Sequence, residues 1–246
     1  PGIPLYFPKP HPILELIDKS KAKLACDIEI FYRLNCNDDF IAITGTNGKS
    51  TVTALVGFLF EKLQLKSAIG GNIGKPCFDC EVKNSNKNTK TAFIFETSSF
   101  QLDLLSDSHF KISTLTNITP DHLDRHNSMD EYIKAKKRVF NNQNQEDFAI
   151  INTDNIESRK VYEELLNNRQ QKVVAISTKK LPPILELKSP STLMISMIDE
   201  MIYHNFNIGK VEKYKCSSQF LKGEHNSQNI AFAFAITKCY FKLIDQ

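Results

Sequence analysis

The sequence lacks a marked excess of charge of either sign: 31 Lys and Arg stand against 28 Asp and Glu, a formal net charge of +3 over 246 residues. So small an imbalance gives no footprint for nucleic acid or an anionic membrane surface, and partners have to be read from individual sites. Apolar runs approaching the roughly 18 to 20 residues of a spanning helix are also missing, which excludes membrane insertion by a helix. The start, Pro1-Gly2-Ile3-Pro4, has neither a basic nor an apolar signal region. Six cysteines in a chain of this length, with no signal peptide, fit the reduced thiols of a cytoplasm better than a disulfide framework. Cys77 and Cys80 form a C-x-x-C, but no second pair completes a zinc site and no helix opens on it, so coincidence is the better reading. Glycine is sparse, 9 residues, and the abundance of Asn and Lys beside it points to an AT-rich bacterial genome. No internal repeat is found.

What is present is ordinary globular material, 41% hydrophobic and 24% charged, enough for one large domain or two small ones. Strand-like runs recur at Phe40 to Thr44, Thr91 to Phe95, Lys111 to Thr116, Phe148 to Asn152 and Val173 to Ser177, with helical patterns between the first pairs. This predicts an α/β fold, a mostly parallel sheet flanked by helices. Lys83 to Lys90 reads as a solvated loop, and Leu181 to Ser191, with three prolines, as a connection. Leu193 to Met197, Met201 to His204 and Glu212 to Cys216 then suggest a small antiparallel portion, and a last helix is expected from about Ser227 to Ile244.

Phe40-Ile-Ala-Ile-Thr-Gly-Thr-Asn-Gly-Lys-Ser-Thr51 is an apolar strand, a glycine-bearing turn and the opening of a helix with Leu55, Val56, Leu59, Phe60 and Leu63 on one side. That context marks a phosphate loop. Gly45 and Gly48 let the backbone curl so that N–H groups point inward, and the helix start adds its dipole. Lys49 would sit on the β/γ-phosphates, and Ser50, or Thr51 beside it, would offer a hydroxyl to Mg²⁺. The loop is a variant, because Ile43 holds the place of the first glycine in G-x-x-x-x-G-K-[ST].

Thr91 to Glu96 is a strand ending on a carboxylate, and in an open parallel sheet ligands bind off that end, so Glu96 would lie near the loop and could hold Mg²⁺. A helix-capping or solvent-facing Glu is the plainer alternative. After the next strand, Asp121, His122, Asp124 and His126 crowd into six residues. His122 and His126, at i and i+4, would share a helix face, but the Glu of a zinc-hydrolase pair is absent, so one His near a Mg-nucleotide site is the more economical use. His126 reads as a surface residue. Ser128-Met-Asp-Glu131 reads as a capping box for a helix through Phe140. On that helix Tyr132, Ile133, Ala135, Val139 and Phe140 share one face with Lys136 in its middle, while Lys134, Lys137 and Arg138 read as solvated. An amine in apolar surroundings has a lowered pKa and can react with CO₂ to a carbamate that would bridge Mg²⁺; a snorkelling lysine is the alternative.

Thr44-Gly-Thr-Asn-Gly-Lys-Ser-Thr51, Gly70-Gly-Asn-Ile-Gly74, Glu96-Thr-Ser-Ser-Phe-Gln-Leu102, Asn117-Ile-Thr-Pro-Asp-His-Leu-Asp-Arg-His126, Tyr132 with Lys136, and Gly223-Glu-His-Asn-Ser-Gln-Asn229, in this order, resemble the Mur ligases of peptidoglycan synthesis. Folylpolyglutamate synthases and other Mur ligases share the loop, but Gly-Gly-Asn-Ile-Gly with Ser-Ser-Phe-Gln points to the branch that adds D-glutamate. The resemblance implies an ATP-dependent ligase that joins D-glutamate to UDP-N-acetylmuramoyl-L-alanine through an acyl phosphate. It places ATP on Gly45, Thr46, Asn47, Gly48, Lys49, Ser50 and Thr51, with Asn229 at the adenine, and two Mg²⁺ ions, one on Ser50 and Glu96, the other on His122 and carbamylated Lys136. Lys49, Glu96, His122 and Lys136 would carry the catalysis. Gly2, Asn72, Ser98 and Gln101 match substrate contacts. It further implies that 1–36 is the tail of an N-terminal UDP-binding domain, that 37–246 is a slightly truncated central ATP-binding domain, that a C-terminal domain is missing, and that the whole enzyme is a cytoplasmic monomer. The initial Pro, where Met would stand, reads as a cut, and the chain alone is expected not to complete the ligation. A stand-alone phosphate-loop kinase or NTPase, and a nucleotide-binding piece without ligase activity, are the competing readings.

Overall fold

The computed structural model describes residues 10–72, 74–85, 88–168, 170–179, 193–207, 210–216 and 218–245. Among them nine strands form one sheet: β1 (Asp39–Thr44), β2 (Ser67–Gly71), β3 (Ala92–Glu96), β4 (Ile112–Leu115), β5 (Phe148–Asn152), β6 (Lys172–Ser177), β7 (Leu193–Ile198), β8 (Met201–Asn207) and β9 (Lys210–Lys215). Their spatial order is β2-β3-β1-β4-β5-β6-β7-β8-β9. Every pairing from β2 to β7 is parallel, and β8 and β9 add on antiparallel. The expected fold class therefore holds, with one adjustment: β7 is the last parallel strand, and only its far side is antiparallel. The expected connection at Leu181 to Ser191 lies outside the described residues.

Parallel strands covered on both faces read as unbroken apolar runs, and β1, β3 and β5 are buried along their whole length for that reason. Alternate residues feed two cores. Ile41 and Ile43 point to one, closed by α3 (Lys49–Lys62) and α8 (Glu224–Ile244). Phe40 and Ala42 point to the other, closed by α2 (Asp27–Leu34), α4 (Ser99–Asp103), α6 (Met129–Lys137) and α7 (Ile156–Asn168). The remaining helices are α1 (Ile13–Ser20) and α5 (Leu123–His126). Phe31 of α2 meets Phe40, Phe78, Phe93 and Phe95 edge-on at 6.2, 5.3, 4.9 and 5.4 Å. Glu29, fully buried beside it, accepts from the backbone N–H of Ser106, Asp107 and Ser108 and from Ser108 Oγ. Burial raises the Glu29 pKa, and these hydrogen bonds more than offset it, so the carboxyl lies below its ordinary value. α2 is thus anchored in the same body as the sheet.

Local expectations shift in informative ways. On α3 the fully buried row is Val52, Val56 and Phe60, with Leu55 and Leu59 partly buried beside it, whereas Leu63 is exposed. The i, i+4, i+8 row faces α8 and the sheet, so the apolar stripe is turned from the one expected. At α6 only half of the capping box forms: Ser128 Oγ accepts from Glu131 N, while Glu131 turns toward Lys134 at 3.9 Å. The complete box is at α4, where Ser98 and Gln101 cap each other. Arg138, expected in solvent, is half-buried and donates to Leu105 O at 2.7 Å. β2 was not expected, because its sequence, Ser-Ala-Ile-Gly-Gly, has little β-branched or aromatic character.

Candidate active site

β3 and β4 flank β1 on opposite sides, so the chain reverses its direction of travel across the sheet at β1, and the crevice off the carboxyl ends of β1, β3 and β4 is the usual place for a ligand in this architecture. The turn 45–48 rises there. Gly45 has φ 144° and Gly48 φ 85°, backbone that side chains other than hydrogen resist. A Cβ on Gly48 would also come within 2.6 Å of Asn229 Oδ1, so the buried Asn229 of α8 supports the turn from behind.

The turn is latched from its other side. Asn117 O accepts from Thr46 N at 2.9 Å, Asn117 Oδ1 accepts from Asn47 N at 2.9 Å, and Thr116 Oγ1 donates to Asn47 O at 2.6 Å. Thr46 Oγ1 lies 3.2 Å from Tyr132 OH and accepts from Thr119 N at 3.0 Å. Two turn amides are thus already engaged, and the next along the chain are those of the first turn of α3, which a helix leaves without intrahelical partners. Ser50 and Thr51 stand on that first turn, Ser50 exposed and Thr51 half-buried.

Two lysines converge on the turn. Lys49 Nζ donates to Thr46 O at 2.8 Å, and Lys136 Nζ to Gly45 O at 2.8 Å. Lys136 is 2% exposed, and its ammonium lies 4.6 Å from the centre of the Tyr132 ring. Burial, reinforced by the positive charge of Lys49 and opposed by Asp121, pushes Lys136 down to about 7. Burial also lowers Lys49, against the raising effect of Glu96 and Asp121. The α6 face reading of Lys136 therefore holds, and snorkelling to solvent does not occur.

Glu96 is buried, and neither caps a helix nor faces solvent. Its Oε1 accepts from Asn72 Nδ2 at 3.0 Å, while its Oε2 is buried with no hydrogen-bond partner among the described residues. A buried oxygen without a partner is a costly feature unless a ligand completes it.

His122 is the N-cap of α5 with φ 51°, so it lies outside the helix and does not share a face with His126. Its N–H donates to Asp121 Oδ1 at 2.9 Å, and its half-exposed ring has Nε2 3.4 Å from Asp121 Oδ2. His126 is not a surface residue. It is buried, its Nε2 is 2.8 Å from Ser99 Oγ, and its ring stacks on Phe100 at 5.4 Å. The cause is the left-handed turn at His122, which swings the short α5 against α6 and α4. Burial, with the nearby charge of Lys136, lowers the His126 pKa.

Ser98 and Gln101 are engaged in their mutual cap, and Gln101 Nε2 also donates to Asp27 Oδ1 at 3.0 Å. Gly2 lies outside the described residues. Burial pushes the Cys77 thiol up to about 12 and raises Cys80 as well, which disfavours the thiolates that redox or zinc chemistry needs. Among the described residues no group of three or more His, Cys, Asp or Glu side chains is placed to hold a metal by itself. Asn117 and Asp121 were not singled out for roles from the sequence. Their signal was position, immediately beyond β4 at the reversal of strand order.

A model of the Mur ligase middle domain matches residues 43–237, and the chain belongs to the Mur ligase family. Among curated relatives, the UDP-N-acetylmuramoylalanine--D-glutamate ligase of Rickettsia prowazekii is 36% identical over 238 residues, covering 97% of this chain and 48% of that protein. The protein of the same name from Rhodospirillum rubrum is 38% identical over 182 residues, 74% of this chain and 37% of the relative. The chain spans about half the length of the curated relatives it matches. Its fold is also that of a UDP-N-acetylmuramate:L-alanyl-gamma-D-glutamyl-meso-diaminopimelate ligase from Neisseria meningitides, with TM-score 0.61 at 14% identity over 93% of this chain and 70% of that one. A UDP-N-acetylmuramoyl-L-alanyl-D-glutamate--2,6-diaminopimelate ligase aligns with TM-score 0.59 at 20% identity over 93% of this chain and 46% of that one.

Proposed function

We propose that this chain is the ATP- and Mg²⁺-binding portion of a ligase that joins D-glutamate to UDP-N-acetylmuramoyl-L-alanine in peptidoglycan precursor synthesis, acting in the cytoplasm as a monomer. Residues 37–246 form the nucleotide-binding domain, with 1–36 the tail of a UDP-substrate domain and α2 docked on the sheet. The observation that carries the reading is the convergence of Lys49 and Lys136 on the 45–48 turn beside Glu96, whose one oxygen is buried and unpartnered.

The reaction must bring a substrate carboxylate to the γ-phosphate of ATP, two anions whose repulsion sets the electrostatic demand. Lys49 and the first-turn amides of α3 bind the phosphates and offset that charge, and Asn229 reaches the adenine. Asn72, Ser98 and Gln101 orient the muramoyl-alanine part. The transfer gives an acyl phosphate and ADP; the D-glutamate amine then attacks the acyl carbon, and phosphate departs with formation of the amide.

The unpartnered Glu96 oxygen fits Mg²⁺, a hard cation that takes few protein ligands beside phosphate and water: Glu96 with Ser50 would hold one ion, and His122 with Lys136, once carbamylated, would hold the other. When bound, Mg²⁺ supplies charge neutralisation between the two anions. Lys136, with a pKa of about 7, is about half free amine at neutral pH; addition to CO₂ would form an N–C bond and release one proton.

Calorimetric titration of the chain with a non-hydrolysable ATP analogue tests the reading. Lys49→Ala should weaken binding by at least about tenfold, the loss of one charge-assisted contact to phosphate. An unchanged affinity in that variant would remove the phosphate-loop assignment.

A further inference from the structure

We infer that Asn72 is a positioning residue for Glu96: the tight turn that ends β2 exists to hold one carboxylate oxygen so that the other stays presented to a divalent cation. The inference rests on the proposed metal-nucleotide reading and gives Asn72 a role beside substrate contact.

Three observations converge. Asn72 Nδ2 donates to Glu96 Oε1 at 3.0 Å, which fixes the rotation of the carboxylate about its last bond. Asn72 N donates to Glu96 O at 2.8 Å, so backbone and side chain grip the same residue and the amide cannot drift from it. Gly71 has φ 100°, and a Cβ there would overlap Glu96 O, so the turn is pressed against Glu96 as closely as a backbone allows. Gly71 N also donates to Lys75 O at 3.1 Å, which closes the turn on its other side.

The consequence is an asymmetric carboxylate. Oε1 is engaged by a neutral donor, and Oε2 is buried and unpartnered. A carboxylate free to rotate would exchange its oxygens and present neither consistently; one held by an amide offers a single directed lone pair to a hard cation. Supporting groups of this kind govern metal affinity through ligand orientation. β2 is the edge strand, joined to the sheet through β3, so the reach of Asn72 to Glu96 explains why a strand of weak strand-forming character ends in Gly-Gly and is followed at once by Asn.

A double-mutant cycle read by Mn²⁺ binding tests this. The probe is Mn²⁺ alone, titrated into the full 246-residue chain and followed by the electron paramagnetic resonance signal of the free ion. Variants are Asn72→Ala, Glu96→Gln and the double variant, with Asn72→Gln, which keeps the amide donor, as the conservative comparison. Asn72→Ala should weaken Mn²⁺ by about tenfold or more, Asn72→Gln should recover most of that loss, and in the Glu96→Gln background Asn72→Ala should add nothing, since its effect passes through the carboxylate. If Glu96→Gln alone leaves affinity unchanged, the metal assignment of Glu96 falls, and with it the wider reading. If Glu96→Gln weakens binding but Asn72→Ala does not, or does so equally in both backgrounds, the positioning role falls while the metal site stands. Asn72 is exposed, so its truncation leaves no cavity; thermal melts of each variant establish that the chain is folded.

Discussion

Burying an amine at Lys136 makes a quantitative demand on stability. In the unfolded chain its pKa returns to the ordinary 10.5, against about 7 in the folded state. A lowered folded pKa means that the unfolded chain binds more protons between those values, so stability rises with pH across the window and the full cost applies below about 7. At about 1.4 kcal/mol per pH unit, the distance from 10.5 to about 7 corresponds to about 5 kcal/mol at pH 6, of which about 2 kcal/mol remains at pH 9. Lys136→Met keeps the length and removes the charge, losing the bond to Gly45 O, a net of about 1 kcal/mol, and the contact of the ammonium with the Tyr132 ring. Urea unfolding of both proteins at pH 6, 7.5 and 9, in CO₂-free buffer, should find the variant more stable at pH 6 and the gap narrowing by about 3 kcal/mol at pH 9. Other titrating groups are common to both chains and cancel in the difference, except His126, whose pKa the Lys136 charge lowers, so the slope is read between pH 7.5 and 9. Curves that stay parallel to within about 1 kcal/mol would refute the reasoning, because they would mean that the folded chain tolerates the charge and the free amine is not available at neutral pH.

Phe31→Ala should cost about 3–5 kcal/mol in chemical denaturation; a neutral outcome would mean that the segment before residue 37 is only tethered to the sheet. Glu29→Gln should destabilise by about 2–3 kcal/mol at pH 7, because its donors are aimed at a carboxylate. Since the folded pKa of Glu29 is lowered, that contribution is present above the ordinary value of 4.5 and is lost as pH falls through the folded value, so the difference between the two proteins should shrink on acidification. Gly71→Ala should lower stability by about 1–3 kcal/mol, a fall in Tm of several degrees, and a melt identical to that of the parent chain would contradict the close approach to Glu96.

Much of this architecture was legible in the sequence, and the exceptions have physical causes. The long apolar strands announce themselves because both faces are covered, whereas β2 is short and glycine-rich, and its pairing with β3 depends on contacts that no local pattern encodes. Lys136 was readable because a cation in the middle of an apolar helix face is anomalous. His126 was misread for the converse reason: in a charged, hydrophilic run nothing local reveals a left-handed residue four positions earlier that turns its ring inward. The Ser98–Gln101 box is hard to read because the helix it opens, Ser99–Asp103, is only five residues long and shows no apolar period. The latch of Asn117 on the turn, and the grip of Asn72 on Glu96, join segments 70 and 24 residues apart, and sequence order alone does not say which loops meet.

The last helix has a consequence for the order in which the molecule is completed. Asn229 stands against Gly48, and Tyr240 OH bonds to Asp39 Oδ2 across 201 residues of chain. One face of β4 to β7, and the flank of α3 that meets α8, therefore stay uncovered until α8 has left the ribosome, although α3 and β4 are made early. Such distant closure makes assembly slow and leaves part of the sheet's apolar surface open in the meantime. A nascent chain halted before residue 224 would carry every residue of the turn in order and still lack the wall that holds it, so nucleotide should not engage until synthesis of this stretch is nearly finished.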